Sequence, residues 1–146
     1  MQLTNNTGNH NDALGMLVRA LPAALFILAG IRKILAYGGT VGYFGGLGLP
    51  LPGLVAPLVI AIEIVLPLLF IAGWRLREVG VALALYTVAT GLIAHQFWVA
   101  PDAQFGNQFN HFFKNIAIAG GFLLAALQAS AQQRSARGAA GASEAA

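Results

Sequence analysis

The sequence predicts an all-α integral membrane protein, a four-transmembrane-helix up-down bundle. Composition is the first observation behind this: the 146-residue chain is 58% apolar and 9% charged, with a mean hydropathy of +0.72. A soluble domain carries roughly 25% Asp, Glu, Lys and Arg. Eight basic and five acidic residues are too few to cover a 15.2 kDa globule with polar surface. The second observation is length, because the apolar residues fall into four runs of about 20, the number a helix needs to cross a bilayer. The third is period: no run alternates apolar with polar residues, and helices satisfy every backbone group internally, as lipid demands.

The elements follow in order. Residues Met1–Ala13 (MQLTNNTGNHNDA) are polar and Asn-rich and read as a disordered tail. They contain no Lys or Arg, so the first apolar segment lacks the cationic start of a cleavable signal and is expected to be retained. A membrane domain is expected over residues 14–131, with helices at about 14–37, 54–73, 79–99 and 112–131. The first helix has Arg19 near its start and Arg32–Lys33 near its end. The stretch Tyr37–Gly53 is rich in glycine and closed by Pro50 and Pro52, which is turn chemistry. Its aromatics, Tyr37, Tyr43 and Phe44, suit the headgroup layer. The second span is nearly pure hydrocarbon except for Glu63, and the basic turn Trp74–Glu78 follows it. The third span carries only His95 and Gln96 near its end. Residues Ala100–His111 read as a polar loop, and the fourth span opens with Lys114 and Asn115 in its first turn. From Gln132 the chain is small and polar and reads as a second disordered tail, 132–146.

Short connections make successive helices alternate in direction. Arg75, Arg77, Arg134 and Arg137 then fall on one side with Arg19 near it, while Arg32, Lys33 and Lys114 lie at the other. The positive-inside bias places both termini in the cytoplasm, with the bilayer as the first partner. The basic residues are scattered along the chain and form no phosphate-binding stripe, so nucleic acid is not a partner. Without cysteine there are no disulfides, thiolate metal sites or thiol redox steps. The glycine-rich stretch has no dinucleotide or P-loop pattern and follows no strand. No motif supports autonomous catalysis, covalent cofactor attachment or a metal centre.

Ionisable groups inside a span cost roughly 2.5–3.5 kcal/mol each on insertion scales, so they mark paired or functional positions. Arg19 and Lys33 are fourteen residues apart and return to nearly the same face at about 3.6 residues per turn. Pro22, Phe26 and Gly30 share that stripe, whereas Arg32 is turned away and is expected to snorkel to headgroups. Glu63 lies about 15 Å deep, at about 1.5 Å per residue. Pro67, four residues on, deprives the Glu63 carbonyl of its helical partner, which adds a second polar atom at that depth. Alone, the carboxyl protonates; beside Lys33 or Arg19 it remains ionised. The pattern admits a quinone-head or proton site, and equally an ion pair that fixes helix register.

His95, His111, Lys114 and Asn115 gather near the other ends of the third and fourth spans, where with Lys33 they are placed to line an outward-opening cavity. Two imidazoles without ligand spacing do not make a metal or haem site, and interfacial histidines beside a snorkelled lysine are the plainer reading. Gly120–Gly121 is expected to allow close helix packing.

Several of these residues, taken in order, resemble a known family. The run Arg19-x(6)-Phe26-x(3)-Gly30-x-x-Lys33, the GLP turn at Gly48–Pro50, Glu63, Gly73 before the basic turn, and FFKNIAIAGG from Phe112 are similar to the DoxX family of small four-helix bacterial inner-membrane proteins. The similarity covers about Leu17 to Leu127. It implies a multi-pass protein of the bacterial inner (plasma) membrane. Founding relatives look like the small membrane subunit of a thiosulfate:quinone oxidoreductase, so the resemblance implies an accessory or quinone-interacting subunit of a redox complex with a partner enzyme. Arg19, Lys33, Glu63, His95, Lys114 and Asn115 would line its polar pocket and quinone would be the associated cofactor. The alternative is a non-enzymatic scaffold or carrier for a small hydrophobic molecule. Some wider relatives use cysteine chemistry, which this sequence lacks.

Overall fold

The computed structural model describes residues 7–144. These form five α-helices: α1 Thr7–Leu35, α2 Tyr37–Gly46, α3 Pro52–Ile71, α4 Leu76–Ala94 and α5 Asp102–Glu144, with a 3-10 turn at Phe97–Val99. No strand occurs among the described residues. Four helices are long and apolar enough to cross a membrane, over Ala13–Leu35, Pro52–Ile71, Leu76–Val99 and Asp102–Ala142. Their outward faces carry Leu21, Leu25, Leu28, Leu58, Leu85 and Leu127 in the open. Leucine faces lipid at no cost there. The protein is an all-α membrane protein.

The chain divides into two compact units, Met1–Trp74 and Arg75–Ala146. In the first, α1 packs against α3, and α2 lies on α3. Contacts pair Arg19, near the middle of α1, with Ile71 at the end of α3, and Lys33, near the end of α1, with Glu63 in the middle of α3, so the two run antiparallel. Buried positions on α1 are Ala23, Phe26 and Gly30, and on α3 Ala56, Glu63, Pro67 and Phe70. Spacings of three, four and seven residues keep each set on one stripe. A Cβ on Gly30 would sit 2.8 Å from Ile64 Cγ1 and 3.3 Å from Glu63 Cβ, so the missing side chain lets the helices close beside the carboxylate.

In the second unit α4 and α5 are antiparallel, Gly80 lying by Phe122 and Ala126 and Gly91 by Asn115. The buried stripe of α5 is Ala119, Phe122, Ala126 and Ala129, facing Val79, Leu83, Ala84 and Thr87 of α4. Lipid tails are as apolar as leucine, so the pair is held by close packing of small residues. That role falls to Gly80 and Gly91. At Gly120 and Gly121, where the sequence suggested it, a Cβ would meet open space.

Four boundaries differ from expectation. Tyr37–Gly46 is helical, and only the residues from Leu47 to Leu51 turn. Thr40 and Phe44, one helical turn apart, are buried on one face of α2, and that burial outweighs the poor helix propensity of its five glycines. Residues Ala100–His111 are not a loop, because α5 begins at Asp102, the Pro101 carbonyl accepting from Gln104 and Phe105. Phe105, Phe109, Phe112 and Phe113 then pack around Phe97, each with ring centroids 5.3–6.0 Å away. At the other end α5 continues past Gln132 to Glu144 through a run of Ala, Gln, Arg and Ser, in which helix formers predominate. At the start, Met1–Asn6 lie outside the described residues, while the rest of the expected N-terminal tail, from Thr7, is the first turns of α1.

Gly80→Ala is expected to lower thermal stability in detergent by about 1–3 kcal/mol, since its Cβ would press to 3.0 Å on the Phe122 carbonyl and 3.2 Å on Ala126 Cβ. Gly120→Ala should instead be neutral or stabilising by up to about 1 kcal/mol. Thermal denaturation of both variants, followed by helical circular dichroism, checks the contrast.

Candidate functional site

Glu63 sits on the buried stripe of α3, eight residues before its last residue, or roughly 12 Å along the axis. Lys33 reaches it from α1. Its Nζ donates to Oε1 at 2.9 Å and to Oε2 at 2.7 Å, with the Glu63 side chain 5% exposed and that of Lys33 24%. Arg19 does something else. Its Nε donates to the Ile71 carbonyl at 3.2 Å, placing a cation at the C-terminal end of α3, where helix carbonyls lack partners and the dipole favours positive charge. Gly73, at φ +76°, occupies the left-handed region beside the Arg19 guanidinium, and a Cβ there would lie 3.7 Å from it. The α1 stripe therefore holds α3 at two heights through two different chemistries.

The break between α1 and α2 shapes the surroundings of the pair. Ala36 leaves helical geometry at φ −117°, ψ 43°, and α2 restarts at Tyr37. The Thr40 hydroxyl is shared between the carbonyls of Ala36 at 3.1 Å and Lys33 at 3.3 Å. Tyr37 Oη donates to the Gly53 carbonyl at 3.2 Å, tying the start of α2 to the start of α3. Between α1 and α2 lies a cavity of about 320 Å³, lined by Ala29, Arg32, Lys33, Ala36, Gly39, Thr40 and Tyr43. Arg32, expected only to snorkel, is exposed and forms part of this wall. Thr40 and Tyr43 escape a site reading from sequence because the glycines of Tyr37–Gly46 look like turn chemistry, and Arg32 because its helical phase turns it from the Arg19–Lys33 stripe. An apolar or hydroxyl residue every fourth position, Ala36, Thr40 and Phe44, was the available signal.

In the second unit His95 terminates α4, its amide donating to the Gly91 carbonyl. Its Nδ1 lies 3.0 Å from the Gln108 side-chain amide, within hydrogen-bond distance. The His95 and His111 rings stack at 4.9 Å and 17°. Face-to-face rings do not aim their nitrogens at one point, and no three His, Asp or Glu side chains gather as a metal set among the described residues. Asn115 is half-buried next to Gly91, while Lys114 is exposed on α5. The predicted residues thus separate: Lys33 is with Glu63, Arg19 on the end of α3, His95 against Gln108 and His111, Asn115 beside Gly91, and Lys114 exposed on α5.

A model of the DoxX family matches residues 14–96, more than half of the chain. The chain belongs to the DoxX family. This DoxX protein is 32% identical over 120 residues to the inner membrane protein YphA of Escherichia coli (strain K12), covering 82% of this chain and 86% of the relative. It is 37% identical over 119 residues to the inner membrane protein YqjF of the same organism, covering 80% and 85%. No solved structure matches it. The family match contains Arg19, Lys33, Glu63 and His95 and ends before α5.

Removing one partner of a desolvated ion pair costs more than the attraction, because the other charge stays behind. Glu63→Gln is expected to cost roughly 2–4 kcal/mol, below the fully buried range since Lys33 keeps partial solvent access. Lys33→Met in that background should restore part of it, with a coupling of about 0.5–3 kcal/mol. Arg19→Met should be additive with Glu63→Gln to within about 0.5 kcal/mol. Denaturation of the five variants in one detergent measures both cycles, and coupling of Glu63 to Arg19 alone would contradict the geometry.

Proposed function

We propose that this DoxX protein resides in the bacterial inner membrane with both termini cytoplasmic, and that it is an accessory subunit of a redox complex whose α1–α2 cavity receives a quinone head. The two Escherichia coli relatives named as inner membrane proteins support the location. The observation that carries the ligand is the cavity itself. A quinone head is a flat apolar ring with two carbonyl acceptors. The cavity offers an ammonium, a guanidinium and a phenol as donors, with Ala29 and Ala36 for the ring. Glu63 takes two of the three Lys33 N–H donors and leaves one. The carboxylate also neutralises the ammonium, so a neutral ligand is accommodated without an uncompensated charge. Arg19 acts as a fastener of α3.

The cavity is expected to label with a photoreactive benzoquinone in membranes, the adduct mapping to peptides of α1 and α2. Arg32→Gln with Tyr43→Phe should reduce the yield by about tenfold, the loss of two hydrogen bonds of roughly 0.5–1.5 kcal/mol each. Quinone in the purified protein no higher than its share of bulk lipid, together with labelling unchanged in the double variant, would overturn the reading. The mutual satisfaction of Lys33 and Glu63 favours the second reading, a non-enzymatic scaffold or carrier whose ion pair fixes register, and that result would leave it standing.

For topology, a reporter active only in the cytoplasm should work when fused after Ala146. A truncation fused after Pro101 should work only with an exported reporter. The reverse pattern would invert the orientation.

A further inference from the structure

Three arginines far apart in the sequence converge in the second unit. Arg77 lies in the first turn of α4, and Arg134 and Arg137 lie one turn apart on α5. They line two adjoining cavities of about 140 and 490 Å³, with Ser130 and Gln133 adding neutral donors and Leu127 closing one end. Among the described residues no acidic side chain lines either cavity. Glu78, the nearest acid in sequence, has its carboxylate 3.6 Å from Arg75 Nη2. That carboxylate also acts on Arg77, but it is one acid against Arg75, Arg77, Arg134 and Arg137, so the cleft keeps an excess of positive charge and is a receptor for an anion.

The depth of the cleft selects the kind of anion. On α5 the apolar run ends at Leu127, and Ser130, Arg134 and Arg137 follow at spacings of three and four, so all four share one helix face. At about 1.5 Å per residue the arginines begin roughly 10 Å beyond the last lipid-facing leucine, within reach of the headgroup layer by their long side chains. We propose that this cleft binds the phosphodiester of an anionic phospholipid, with an acyl chain along Leu127. The guanidinium fork matches paired phosphate oxygens, and Ser130 and Gln133 supply neutral hydrogen bonds. Phosphatidylcholine carries its own cation and loses the advantage against three arginines; phosphatidylglycerol and cardiolipin do not.

The test is native mass spectrometry of the full chain released from nanodiscs of phosphatidylcholine doped with phosphatidylglycerol or cardiolipin. The wild type should retain the anionic lipid in preference to phosphatidylcholine. Each arginine near the headgroups should be worth about fivefold. Arg77→Gln, Arg134→Gln and Arg137→Gln together should therefore abolish the preference. The three side chains lie at the surface end of the pair, and a circular dichroism spectrum matching wild type verifies the fold of the triple variant. Arg134→Lys with Arg137→Lys keeps the charge and should retain most of the preference. Equal retention of both lipid classes by wild type, an unchanged preference in the triple variant, or displacement of the lipid by millimolar inorganic phosphate would each overturn the assignment, the last by making this a site for free phosphate.

Discussion

The Lys33–Glu63 pair sets the terms for the first unit. A carboxylate about two helical turns inside an apolar helix has two courses, protonation or a counter-charge. Here the counter-charge is an ammonium that touches both carboxylate oxygens at 2.7–2.9 Å. The geometry allows α1 one register against α3, because a one-residue rotation would carry Lys33 about 100° off the stripe. Other features follow from that demand. Gly30 must lack a side chain for the helices to approach at this height. Arg19, fourteen residues earlier, then arrives at the end of α3. The chain must break at Ala36, where α2 covers the adjoining cavity. Burying an ion pair is a weak source of net stability.

The second unit solves the same problem without charge. Among the described residues no salt bridge joins α4 to α5; the ion pair in this unit, Arg75 with Glu78, is local to one turn. Register comes from shape instead. Gly80 receives the Phe122 backbone, small residues repeat along the α5 stripe, and Trp98, Phe105, Phe109, Phe112 and Phe113 cluster around Phe97 at the turn. The rings sit where an interfacial belt is expected. The two units thus hold their helix pairs together by different forces.

Much of this was legible beforehand, and the exceptions have physical causes. Four spans are readable because lipid removes the ambiguity of burial: apolar length alone signals a crossing helix. Lys33 and Glu63 are conspicuous because charge in hydrocarbon is rare. Arg19, an alternative partner by helical phase, could not be separated from Lys33 by phase alone. What separates them is height along α3, which depends on the turn geometry from Ala36 to Leu51. That turn was itself obscured, since glycine in α2 reads as punctuation while its buried Thr40 and Phe44 carry the helix. Gly120–Gly121 misled in the opposite sense: a small pair invites close packing only if a neighbour faces it. The Arg77, Arg134 and Arg137 cleft was invisible as a cluster because it is assembled from positions up to sixty residues apart.

The order in which the ion pair is made also matters. Lys33 precedes Glu63 by thirty residues. At roughly 5–20 residues per second, the ribosome supplies the carboxylate about two to six seconds after the ammonium. During that interval α1 carries a cation at its far end with no partner, and its long side chain can stay at the interface. Glu63 has no such escape, since it enters at mid-helix and must find Lys33 as it crosses. Chain order therefore makes the ammonium available before the carboxylate that pairs with it. Synthesis in the reverse order would ask a lone carboxylate to wait in hydrocarbon.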